Sequence, residues 1–140
     1  MRRVVLFIFL LAWMRGATGA ATGVEMEACR LTPEAKKELK LTATQEPKVN
    51  KVFSELAPVR GQIDKAIKEV GELRRTGTDE ATLANHRKDL IALETRCRDR
   101  LHQLLKPILT DEQYEKVLEM EETHRKIVRE REAAQRQALR

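Results

Sequence analysis

Apolar side chains recur every seven residues along two long stretches of this 140-residue chain, and that period leaves few folds open. Val49, Leu56, Ile63 and Val70 form one line, with Val52, Val59, Ala66 and Leu73 as a companion stripe. Leu83, Leu90, Cys97 and Leu104 repeat the device further on. A seven-residue period lays a narrow apolar seam along an α-helix, so it marks long helices packed side by side rather than a helix buried on every face. No run alternates apolar and polar residues in the manner of a half-buried strand. The expected fold class is therefore all-α.

Helix starts are expected at Thr32, Thr42, Thr78 and Thr110, where a hydroxyl can accept a hydrogen bond from an orphaned N–H of the first turn. Pro33 occupies the favoured first helical position, and Gln45 and Gln113 stand three residues after Thr42 and Thr110, completing two reciprocal capping boxes. Gly77 and Pro107 mark boundaries, and the short loop around Gly77 predicts an antiparallel hairpin of the second and third helices, flanked by shorter ones. Each hairpin arm should run roughly 40 Å. Rods joined along so thin a seam bury a small core, a physical reason to expect a homodimer. Pro47 and Pro58 fall inside the second helix, at about 3 kcal/mol each in an unbent one, so it should either bend near Pro58 and Gly61 or break. From Val128 onward apolar residues thin out while Glu121/Arg125, Glu122/Lys126 and Glu132/Arg136 stand at helical spacing, which predicts a charged, solvated helix end over 129–140.

The N-terminus reads as a secretory signal peptide over 1–20. Arg2 and Arg3 precede an apolar run from Val4 to Met14, and small residues follow up to Ala21. As a helix the run would cover about half a bilayer, too little for a membrane anchor. The mature protein is thus expected outside the cytoplasm, with a flexible segment over 21–31 ahead of a helical domain over 32–128. Losing Arg2, Arg3 and Arg15 lowers the formal charge of +5 by three, and Phe53 and Tyr114 become the only aromatic residues. Neither the charge nor the aromatic content suits nucleic acid, so no nucleic-acid partner is expected. Cys29 and Cys97 would meet an oxidising compartment, where a disulfide between them is one outcome and a packed Cys97 at its seam position the other.

The capping boxes are embedded in Leu41-Thr42-Ala43-Thr44-Gln45 and Leu109-Thr110-Asp111-Glu112-Gln113. Both copies match the LTxxQ signature, and on them the chain resembles the Spy and CpxP family. The resemblance implies a cradle-shaped antiparallel dimer in the periplasm that holds unfolded or partly folded client proteins without ATP, or one that restrains a membrane sensor kinase. It assigns Leu41, Thr42, Gln45, Leu109, Thr110 and Gln113 to fixing helix ends against each other. Pro47, the imperfect copy Leu31-Thr32-Pro33-Glu34-Ala35 and the two cysteines depart from the family pattern.

A surface that holds many clients needs apolar groups for burial and positive charge for attraction, without a deep selective pocket. Phe53, Arg60, Ile67 and Arg74 alternate these properties at seven-residue spacing, as do Ile91, Arg98 and Leu105 on the third helix with Arg87 nearby. The plainer alternative is that these arginines drape their stems over the core edge and keep their heads in water. An envelope-stress or heavy-metal regulator is the competing function. Against a metal site, His86, His102 and His124 make no i,i+4 pair, and Glu121 with His124 is a pairing a charged surface produces by chance. Catalysis and cofactors are not expected: Ser54 is the only serine, no phosphate-binding glycine loop exists, and Glu121-Glu122 reads as part of a solvated face.

Overall fold

The computed structural model describes residues 23–140; the expected signal peptide over 1–20 lies outside the described residues. Four helices and no strands occur among the described residues: α1 (Pro33–Leu39), α2 (Gln45–Arg75), α3 (Glu80–Leu105) and α4 (Asp111–Ala138). None of them is long and apolar enough to cross a membrane. The all-α expectation holds, but only α1 is a short flanking helix. With 28 residues, α4 matches the hairpin arms. Its first half buries Val117, Met120 and Glu121, and its exposed second half is supported by Arg125 and Arg129, both ion-paired to Glu122 at 2.8 Å.

Local chemistry explains where each helix starts. The Thr32 hydroxyl accepts from the Ala35 N–H at 3.1 Å, with Pro33 in the first turn. Thr42 and Gln45 exchange both bonds of their capping box at 3.1 and 3.2 Å, and regular helix opens at Gln45. Thr110 and Gln113 do the same at 3.0 and 3.2 Å. The third start is not at Thr78 but one residue later. The Asp79 carboxylate accepts from the Thr82 N–H at 2.9 Å and its hydroxyl at 2.8 Å, bonds that hold this carboxyl below its ordinary value. An anion also suits the positive end of a helix better than a hydroxyl does. Thr78 instead closes the turn before it: its N–H donates to Leu73 O at 3.1 Å across Gly77, whose φ of 73° is a left-handed conformation that glycine adopts without strain.

Neither proline breaks α2. Pro47 sits in the first turn, where it costs only the one bond to Ala43 O at the very start of the ladder that Glu46 N–H opens on Thr42 O, and the helix continues through exposed Pro58 to Arg75. On α2 the seam forms as the period requires, with Val49, Val52, Leu56, Ile63 and Val70 buried; on α3 Leu83 and Cys97 are buried, but Leu90 and Leu104 are only partly so, and Leu101 and Leu105 take the buried line towards the end of the helix. At the end away from Gly77, Ala35 and Leu39 of α1 join Val49, Leu105, Leu109 and Val117 in one cluster. From there α4 runs back along the hairpin, its Glu121 meeting His102 at 2.8 Å and its Gln135 meeting Arg74 at 3.5 Å near the opposite end.

Candidate functional site

The two LTxxQ copies meet. Gln45 Nε2 donates to Gln113 Oε1 at 2.8 Å and Gln113 Nε2 donates to Gln45 Oε1 at 2.9 Å, a closed amide pair. Each Nε2 also donates to a carbonyl ahead of the other motif, Gln45 to Ile108 O and Gln113 to Leu39 O, both at 3.1 Å. Each Oε1 already accepts the N–H of its own threonine. Two donors and two acceptor sites per amide are thereby filled. Leu41 and Leu109 pack on the same core, so all six motif residues gather at one joint that ties the N-terminus of α2 to that of α4. Their role is positional, and no reacting group stands among them.

The described part of the segment expected to be flexible, 23–31, is instead held down. Cys29 and Cys97 form a disulfide spanning 68 residues of sequence. The Met26 side chain is 1% exposed and its N–H donates to Met120 O at 3.1 Å. Glu25 accepts from His124 Nδ1 at 2.8 Å, and Glu27 pairs with Arg60 at 2.7 Å. Sequence alone places polar residues here without showing that one buried methionine anchors them. That anchor contributes about 1.5–3 kcal/mol, the Arg60 bond to Ala28 O about as much and the Met26 N–H about 1 kcal/mol, and the ion pairs of Glu25 and Glu27 at most about 1 kcal/mol each. Fixing the backbone costs about 1–2 kcal/mol per residue, and Cys29 carries a left-handed φ of 58°. Over 24–29 the cost and the noncovalent gain are of similar size, so the disulfide tips the balance towards the docked segment.

This arrangement corrects two members of the expected client surface. Arg60 is not available to a client: its side chain is 11% exposed, and its guanidinium bonds Ala28 O at 2.6 Å, Glu27 and Asp64. It is committed because the anchored segment covers the flank of α2. Leu105 is fully buried, since α1, α2 and α4 converge around the end of α3. The others keep some exposure. Ile67 is 44% and Ile91 61% exposed, Arg74 is exposed, and Phe53, Arg87 and Arg98 are half-buried. Ile91 stands between two open clefts. One, of about 460 Å³, is lined by Arg74, Arg87 and Arg136 with Glu80 and Glu132. The other, of about 260 Å³, is lined by Met26, Glu94, Arg98 and His124.

Glu121 is not part of a solvated face. It is 5% exposed and bonds His102 Nε2, whose Nδ1 meets the Tyr114 hydroxyl at 3.2 Å. Its i,i+4 partner from the sequence pattern, Arg125, turns to Glu122, and His124 turns to Glu25. A lone carboxylate at a helical core position looks the same in sequence as one in a charge run, so only the packing of His102 distinguishes it. Among the described residues no cluster of three or more His, Cys, Asp and Glu side chains could hold a metal ion.

Burial pushes the Glu94 carboxyl above its ordinary value of 4.5, with Arg60, His124 and Arg98 pulling the other way. A carboxyl raised on folding binds more protons folded than unfolded, so the stability it contributes is present at low pH and is lost as pH rises from 4.5 through the folded value. Glu94→Gln is therefore expected to raise the urea midpoint at pH 7 and to give no gain below pH 4. Equal gains at both pH values would contradict a titrating origin. The chain matches no family model, no curated protein and no solved structure.

Proposed function

We propose that this protein is a periplasmic, ATP-independent chaperone that holds unfolded or partly folded clients on a mixed apolar and basic surface, as an antiparallel, cradle-shaped homodimer. The observation that carries the proposal is Ile91, mostly exposed between two clefts that Arg74, Arg87 and Arg98 line. Large aliphatic groups left in water beside guanidinium heads suit loose capture of chains that expose both apolar and acidic groups. The clefts are open and share no single deep pocket, which favours breadth over selectivity. The joined LTxxQ copies support the family resemblance, and the Cys29–Cys97 bond suits an oxidising compartment.

The test is suppression of aggregation of a chemically denatured model client by the purified mature protein, with its mass measured by sedimentation. Reversing Arg74, Arg87 and Arg98 together to Glu is expected to weaken suppression by about tenfold while far-UV circular dichroism stays unchanged. Arg60 is left out of this set, because reversing it would disturb the anchored segment instead. Unchanged suppression by the triple variant, or none by the wild type, refutes the proposal.

A further inference from the structure

The segment over 24–29 is seated on the helices as a ligand would be. Glu25 meets His124, Met26 fills a buried site, and Glu27 meets Arg60. Its backbone is read as well, through the Met26 N–H to Met120 O and through Ala28 O, which accepts from Arg60 Nη1. An imidazole donor, apolar depth and a guanidinium therefore follow one another at the spacing of successive residues in a non-helical peptide. The cleft beside Met26 and Ala28 continues this groove towards Ile91 and Arg98.

We infer that this groove is a binding site for non-helical peptide segments of the pattern acidic, apolar, acidic, filled in the oxidised protein by the chain's own residues 24–29. Opening the Cys29–Cys97 bond with a dithiol frees it. The inference rests on the proposed function in treating the protein as a binder of polypeptide, and adds which sequences it takes and what controls access. In the opening step a thiolate of the dithiol attacks one cysteine sulfur, giving a mixed disulfide, and the other cysteine leaves as a thiolate that takes a proton. The second thiol of the reductant then displaces the bound cysteine. Two electrons and two protons pass to Cys29 and Cys97, and the dithiol ends as a disulfide. Without the bond the contacts of 24–29 only balance its ordering cost, so the segment exchanges between docked and released states. It stays joined to α1 through Leu31 and competes at high local concentration, so an outside peptide meets partial rather than complete vacancy.

The probe is a labelled peptide, Gly-Val-Glu-Met-Glu-Ala, followed by fluorescence anisotropy against the full mature chain. Binding to dithiol-reduced protein, and to the Cys29→Ala/Cys97→Ala variant, is expected to be at least about tenfold tighter than to oxidised protein. The peptide carrying Met26→Asp should not bind. A second variant, Met26→Asp/Glu27→Arg, loosens the segment with the disulfide intact and should also gain affinity; it decides the matter if the cysteine variant loses helicity. Equal affinity for oxidised and opened forms, or no gain in either variant, overturns the inference. Client-aggregation suppression by the oxidised wild type is measured alongside: its absence with the peptide gain intact overturns only the chaperone proposal, and its presence without that gain overturns only this one.

Discussion

Gln113→Ala is expected to lower unfolding stability by about 3–4 kcal/mol, read from urea denaturation. The truncation removes both bonds of the amide pair and leaves Leu39 O and the Thr110 N–H without partners. Each net hydrogen bond is worth about 1 kcal/mol, and half-buried Leu39 O left unpaired costs about 1–3 kcal/mol, whereas water reaches the exposed Thr110 N–H. Lys40, which follows Leu39 in the left-handed conformation, makes α1 sensitive to the same loss, because its strained turn is held in place partly from across the joint.

A double-mutant cycle with Gln45→Ala separates the joint from two independent helix caps. If the motifs acted only as local capping boxes, the two losses would add. The closed pair predicts instead that the second truncation costs at least about 1 kcal/mol less than the first, since its partner has already gone. Strict additivity would reduce the two LTxxQ copies to ordinary helix starts.

That joint shows what could be read in advance and what could not. The seam was legible because a seven-residue period has one structural meaning, and Val49, Leu56, Ile63 and Val70 are all buried where it puts them. The capping boxes were legible because their bonds are local. That Gln45 and Gln113 touch is a contact across 68 residues, for which a matched pair of motifs gives a hint but no geometry. The sequence pattern puts the third start at Thr78 and not at its neighbour Asp79, because it cannot weigh carboxylate against hydroxyl in a turn it has not built. Which residues of the proposed client stripe stay exposed was half legible for a related reason. Heptad spacing identifies which residues flank the seam, but not that 24–29 would cover Arg60 or that α1 and α4 would enclose Leu105.

Opening the Cys29–Cys97 bond is the other large effect: a loss of about 2–4 kcal/mol and about 10 °C or more in melting temperature, with helical content in the folded state unchanged. The bond closes a span of 68 residues, and an unfolded chain free of it regains the corresponding entropy. Part of the loss should also come from the folded side, because the anchored segment goes with the bond, and this part can be isolated. In the oxidised protein Met26→Ala is expected to cost about 2–3 kcal/mol, as for a buried methionine left as a cavity. In the Cys29→Ala/Cys97→Ala background the same substitution should cost about half as much or less, since Met26 spends part of its time outside its site. A full Met26 penalty in both backgrounds would mean that the segment docks on its own contacts. The disulfide would then be a passive staple, the balance of anchor against backbone ordering would be wrong, and the groove would stay filled whatever the redox state.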